Sequence, residues 1–168
     1  MGGLFVVAQD GAPDTKDENG TVTLKGTSDP TKASTLNIYG GKIYGGYSGT
    51  GGNIHVMHMT KLNVYGGTIT EGRAQFISWE ASGSTSYKYG QGGNIYSDSG
   101  TTIKIYGGEI SNGTGVQHTS TVKSTNSVGS GGNIYATGDL FIYGGSIFGG
   151  YAQHNNVTQN GAYIKSSS

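Results

Sequence analysis

Along this chain, short apolar runs alternate with polar residues and are cut by pairs of glycine. In "LNIYGGKI", Leu36 and Ile38 alternate with Asn37 and Tyr39, the period-two pattern of a strand with one buried face. Gly40 and Gly41 then turn the chain, because glycine alone reaches positive φ without steric cost, and Ile43 opens another short strand. The frame returns as "LNVYGGTI", "IKIYGGEI" and "LFIYGGSI", which places Tyr-Gly-Gly at Tyr39, Tyr65, Tyr106 and Tyr143. A second frame, "GGNI", begins at Gly51, Gly92 and Gly131, each time a short spacer ahead of a tyrosine frame. "GGLFV" from Gly2 and "GAYIK" from Gly161 are weaker copies, as the capping repeats of a solenoid are.

Joining "NIHV" to the tyrosine frame gives three short strands per coil, separated by tight turns, over roughly two dozen residues, a size a β-helix coil accommodates. The expected fold is all-β: a right-handed single-stranded parallel β-helix of about four to five coils, with loop insertions at one corner. Residues 1–168 form one domain in this reading. Residues 1–35 are an irregular N-terminal coil and cap with an insertion, 36–152 are regular coils and 153–168 a degenerate C-terminal coil. Equivalent residues then stack about 4.8 Å apart. The core becomes ladders of β-branched residues: Ile54, Ile95, Ile134; Ile38, Val64, Ile105, Ile142; and Ile43, Ile69, Ile110, Ile147. Asn53, Asn94 and Asn133 align at one corner, where buried amides find partners in the turn backbone and in each other; this is expected to be a structural ladder.

The "GGNIY…L.IYGG.I..G" frame resembles the right-handed parallel β-helix repeats of secreted and cell-surface bacterial proteins, including adhesin-like proteins of gut Firmicutes. At the level of fold alone it resembles the pectate-lyase-like superfamily. The resemblance covers nearly the whole chain and implies an extracellular or cell-surface location. It implies a fold far more than an activity, because function resides in sites grafted onto a fold.

Composition narrows the classes further. Thirty-three glycines would suit a disordered chain, but 12 tyrosines and regular Ile and Val do not. Ten basic residues balance ten acidic ones, and Arg73 is the single arginine, so no nucleic-acid partner is expected. The absence of cysteine excludes disulfides and thiolate metal sites. No apolar run reaches a membrane span, and Leu4 to Ala8 is too short for the core of a signal peptide. The chain is therefore expected to be a segment of a longer exported protein, with no membrane insertion.

Function should sit where the repeats differ. Gly51 and Gly92 are 41 residues apart and Gly92 and Gly131 are 39, more than one coil needs. The surplus enters between the end of a tyrosine frame and the next "GGN": "YSGT", then "RAQFISWEASGSTSYKYGQ", "TGVQHTSTVKSTNSVGS" and "YAQHNNVTQN". Loops leaving from one corner make a wall along the solenoid. A further insertion, from Ala8 to about Ser34, contains "TVTLKG", read as an extra strand.

The second insertion carries Trp79, the only tryptophan, with Phe76, Tyr87 and Tyr89 near it and Arg73 and Glu80 as charged neighbours. Rings among polar groups suit a polysaccharide or a cell-surface glycan, whose C–H faces stack on aromatics; the same rings could simply pack the loop onto the solenoid wall. Tyr39, Tyr65, Tyr106 and Tyr143 should form an exposed row, and His55, Tyr96 and Tyr135 another, each either a stabilising ladder or an aromatic strip for a partner.

A lyase would need grouped acidic residues to hold Ca²⁺ and a base, and a hydrolase two facing carboxylates. Glu71, Glu109, Asp98 and Asp139 fall at different phases of the repeat, and no catalytic residue, metal site or cofactor is assigned. His55 and His58 lie three apart, while His118 and His154 sit in separate insertions. The leading expectation is a non-catalytic adhesion or structural module that binds glycans. The alternatives are a β-helical polysaccharide lyase or glycoside hydrolase, and a scaffold that self-associates end to end through its open strand edges.

Overall fold

The computed structural model describes residues 15–16, 22–24, 34–57, 59–75, 77–81, 84–88, 90–116, 129–154, 157–160 and 164–166. They form an all-β parallel solenoid of about four coils whose strands stack in four parallel sheets. Each sheet is one face of the coil. The first face stacks Val22–Leu24, Ile54–Val56, Ile95–Ser97, Ile134–Ala136 and Ile164–Ser166, all parallel, with Thr15–Lys16 antiparallel on its outer edge. The second stacks Thr35–Ile38, Lys61–Val64, Thr102–Ile105 and Asp139–Ile142. The third stacks Lys42–Tyr44, Thr68–Thr70, Glu109–Ser111 and Ser146–Phe148.

The fourth face corrects the expected three-strand coil. Tyr47–Ser48, Arg73–Gln75, Thr114–Val116 and Tyr151–His154 pair in parallel, in stretches that read from the sequence as the beginnings of insertions. Their register aligns Ser48, Ala74, Gly115 and Ala152. A face whose inward rungs are this small gives no apolar periodicity. Such a face leaves no mark in a pattern of alternating large residues.

Two terminal segments also find their places. Val22–Leu24, within "TVTLKG", is the first-face rung of the first coil, in register with Ile54–Val56, rather than an extra strand beside the solenoid. Ile164–Ser166, which begins within "GAYIK", continues the same face after Ile134–Ala136. "GGLFV" lies outside the described residues.

The core is the expected set of ladders. Ile54, Ile95, Ile134, Val64, Ile105, Ile69 and Ile110 are fully buried, joined by Leu62 and Ile103. Each such side chain contributes about 1.5–3 kcal/mol by leaving water. The ends differ from this middle: Ile43 and Ile147 are half-buried, and Ile142, the last rung of its ladder, is 47% exposed.

Insertions leave the coil without disturbing its closure. Thr50, Gln91 and Ser130 bridge one another in parallel, each followed by the glycine that opens a "GGN" corner. In the first coil Ser48 and Thr50 are separated only by Gly49; in the second, residues 75–89 intervene between Ala74 and Gly90. Within that span, Ile77–Ala81 and Ser84–Lys88 form an antiparallel hairpin. The third coil departs after Val116 and resumes at Gly129, the same two points of the coil.

Candidate functional site

The corner between the fourth and first faces is built by glycine and asparagine together. Gly51, Gly92 and Gly131 adopt φ of 62°, 67° and 61°, a conformation that strains any L side chain. The second glycine is fixed by space instead, since a Cβ on Gly93 would overlap the carbonyl oxygen of Gly132 and the backbone nitrogen of Thr114. The asparagines then bind the coils to one another. Asn53 Nδ2 donates to Asn94 Oδ1 at 2.8 Å, and Asn94 Nδ2 to Asn133 Oδ1 at 2.8 Å. Asn94 Oδ1 also accepts from Gly72 N at 2.9 Å, while its Nδ2 donates to the Ser111 carbonyl at 2.8 Å. Asn53 and Asn133 repeat the pattern, accepting from Gly46 and Gly113 and donating to the carbonyls of Thr70 and Phe148. Each amide thus ties the backbone of one coil to that of the next, and Asn94 links the asparagines on either side of it. No polar atom of Asn94 is spare for a ligand.

The corner between the second and third faces carries the tyrosines. Tyr39, Tyr65, Tyr106 and Tyr143 are all exposed, with neighbouring ring centroids 4.9, 4.9 and 5.0 Å apart and planes within 12°. Tyr65 and Tyr106 therefore have a ring against both faces. A sugar stacks on a ring face, and the rings at the ends of this row, Tyr39 and Tyr143, are 73% and 63% exposed against 43% and 41% for the inner pair, with Phe141 6.4 Å from Tyr143 and nearly parallel to it. Beside the row, Asn63 donates to Asn37 at 2.8 Å and the Lys42 ammonium lies 4.8 Å from the Tyr44 ring centroid.

The second aromatic row differs from its expected exposure. His55 is buried, and Tyr96 and Tyr135 are half-buried. His55 meets the Tyr96 ring edge-on at 4.8 Å, and Tyr96 stacks on Tyr135 at 5.6 Å. His55 Nδ1 lies 3.4 Å from the Thr50 hydroxyl, and Nε2 lies 3.4 Å from Asp98 Oδ2. Burial, the Asp98 charge and a hydrogen bond to that carboxylate push the Tyr96 hydroxyl up to about 12, so it stays protonated. The row is packing, with its rings turned against neighbouring side chains.

Part of the aromatic insertion lies among the described residues. Trp79 and Glu80 lie on the strand Ile77–Ala81 and Tyr87 on Ser84–Lys88, with Trp79 opposite Ser86 and Ser78 opposite Tyr87. Strand alternation therefore assigns positions 79 and 87 to opposite faces of the ribbon and positions 80 and 87 to one face. Arg73 is exposed on the fourth face, its Nε donating to Gln75 Oε1 at 3.2 Å. Phe76, Tyr89, His58 and His118 lie outside the described residues.

The acidic residues are dispersed. Glu109 accepts from the Ser111 hydroxyl at 2.7 Å on the third face, whereas Asp98 lies beside His55 on the first. Glu71 has φ of 57° at the corner after the third face, where the other coils place Gly45, Asn112 and Gly149, also at positive φ. Among the described residues no three of His, Cys, Asp and Glu gather as a metal-binding group. Among the described residues no helix is long and apolar enough to cross a membrane.

No protein-family model matches the chain, and neither a curated protein nor a solved structure is similar to it.

Proposed function

We propose that this solenoid is a non-catalytic display and adhesion module of an extracellular bacterial surface protein, binding polysaccharide through its ring-bearing insertion. The observation that carries this reading is the coil closure beneath the insertions. Thr50, Gln91 and Ser130 bridge in register whether the preceding connector is one residue or more than a dozen. Loops of different length hang from this corner with the coil closure unchanged, and the entropy of closing them grows only slowly with length, which is what a display scaffold requires. The surface location rests on the resemblance of the repeat to bacterial cell-surface β-helices, and the ligand class on the density of rings among polar groups in the second insertion.

The test deletes residues 75–89, which rejoins Ala74 to Gly90 as Ser48 joins Gly49 in the first coil. Binding to a panel of plant, mucin and microbial polysaccharides is followed by calorimetry, with Trp79 fluorescence as a second readout for the intact chain. The expected result is saturable binding to one glycan class by the intact protein, and loss of that binding with an unchanged melting temperature in the deletion variant. Equal binding by both would remove the insertion from the site. Absence of binding across the panel would overturn the polysaccharide assignment.

A further inference from the structure

The tyrosine row carries chemistry that its packing does not use. Tyr65 and Tyr106, in the middle coils, stay exposed although each lies between two other rings, and they stack with centroids 4.9 Å apart and planes 3° from parallel. Tyr39 continues the stack on one side and Tyr143 on the other, at 4.9 and 5.0 Å. The backbone fixes this register at every step: the N–H groups of Tyr65, Tyr106 and Tyr143 each donate to a carbonyl of the preceding coil, at 2.7, 2.8 and 2.7 Å. One ring is therefore related to the next by little more than a translation along the solenoid, which sets like carbons of neighbouring rings side by side. Two glycines follow each ring in the chain, so no side chain from those positions hems it in.

A phenol gives up one electron and its proton to a one-electron oxidant, and the radical left behind spreads from the oxygen onto the ortho carbons. Two such radicals couple by forming one carbon–carbon bond between ortho carbons, after which the two ring hydrogens at that bond move to the oxygens and restore both phenols. The pair loses two hydrogen atoms in all, and one molecule of hydrogen peroxide, acting through a haem peroxidase, takes them up as two molecules of water. Between free tyrosines the coupling is bimolecular; here each radical has a second phenol held beside it, and the exposed rings need only swing toward each other. The chain has no cysteine, the side chain that would otherwise yield a hydrogen atom to the radical first. Tyr96 and Tyr135 also stack, at 5.6 Å, but both are half-buried. The Tyr96 ring is pinned by its edge contact with His55, and its hydroxyl by the hydrogen bond to Asp98, so that pair has no such freedom.

We propose that the row of Tyr39, Tyr65, Tyr106 and Tyr143 is a modification site, at which peroxidase-type oxidation joins consecutive coils by dityrosine bonds. A bond between Tyr65 and Tyr106 closes a loop across 41 residues of chain and ties the two middle coils together covalently. It restricts the unfolded chain as a disulfide would, in a sequence that can form no disulfide. Stacking that contributes little to the folded state thus becomes the means of locking it.

The test treats dilute folded protein with a haem peroxidase and limiting hydrogen peroxide, follows dityrosine by its fluorescence and locates the bonds by mass spectrometry of the digested product. The expected product is a single chain lighter by two hydrogen atoms for each bond, every bond joining consecutive rungs of the row, with a melting temperature raised by roughly 10 °C. Tyr65→Phe combined with Tyr143→Phe keeps all four rings but leaves Tyr39 and Tyr106 two coils apart, each beside rings that cannot couple. This variant removes only two of the 12 tyrosines. It is expected to melt at the wild-type temperature before oxidation, to lose the dityrosine bonds within the chain and to gain no stability from the treatment. Wild-type yield in the variant, bonds between chains in place of bonds within one, or bonds from Tyr65 or Tyr106 to tyrosines outside the row would overturn the proposal.

Discussion

The asparagine ladder and the tyrosine ladder each repeat one residue at one corner of successive coils, yet Asn53, Asn94 and Asn133 are at most 1% exposed whereas every tyrosine rung is at least 41% exposed. Repetition alone therefore says little about what a rung does. In the buried ladder, each amide replaces water for backbone N–H and C=O groups shut away from solvent, so its bonds are obligatory. In the exposed ladder, each ring keeps water at its edge and gains only the contact with its neighbours. The first ladder makes the coil possible, and the second decorates it.

Removing the middle amide should break the comparison most sharply. Asn94→Ala leaves the Gly72 N–H, the Ser111 carbonyl, Asn53 Nδ2 and Asn133 Oδ1 each short of a bond. The Gly72 N–H is orphaned, at about 1–3 kcal/mol, while the other three each keep a second partner and lose one bond worth about 0.5–1.5 kcal/mol, so the expected loss is about 3 kcal/mol or more. Equilibrium urea unfolding measures it. A loss below about 1 kcal/mol would mean that water substitutes freely at this corner.

Glycine substitutions draw the same contrast through the backbone. A Cβ at Gly93 overlaps main-chain atoms, whereas nothing lies within 4 Å of one at Gly40. Gly93→Ala should cost about 3 kcal/mol or more, and Gly40→Ala, on the exposed tyrosine corner, should stay within about 0.5 kcal/mol. Similar melting temperatures for the two variants would contradict the packing described for the asparagine corner.

Within the exposed ladder, Tyr106→Ala removes two ring contacts, against Tyr65 and Tyr143. The expected cost is about 2 kcal/mol from stacking worth about 0.5–1.5 kcal/mol per pair. Tyr39→Ala, at the end of the row, should cost about half as much. An equal cost at both sites would show that the rings act singly and that the ladder is not a cooperative unit.

The smallest effect is expected at a third corner, and its sign is reversed. Glu71 holds the left-handed conformation that Gly45 and Gly149 hold in other coils. Glu71→Gly should stabilise the protein by about 1 kcal/mol, the strain relieved exceeding the added freedom of the unfolded chain. A destabilised variant in the same unfolding experiment would point to a role for the carboxylate that its backbone strain does not explain.

Large alternating residues made most of this fold legible. The ladders of Ile and Val, the glycine turns and the alignment of the asparagines follow from periods of two and from frames that recur in phase, because stacking demands like on like. The fourth face was not legible, since its inward rungs Ser48, Ala74, Gly115 and Ala152 are too small to mark a period. One signal was present: in each connector the second residue is small, and only register shows that these positions coincide. The candidate site was legible as composition but not as geometry. The hairpin pairs position 79 with 86 and position 78 with 87, a register carried by strand pairing and not by proximity in sequence.

The sequence by itself determined that the chain coils, where it turns, and which residues stack, because these depend on local backbone freedom and on side chains meeting their own copies one coil away. Tertiary structure decided which rows are covered. His55 is buried while Tyr39 is not, although both belong to rows of aromatic residues repeated once per coil. It also decided where stacking stops, leaving Ile142 uncovered while Ile105, its equivalent one coil earlier, is buried. Exposure depends on what lies against a residue from elsewhere in the chain, and a repeat specifies its own neighbours only as far as its last copy.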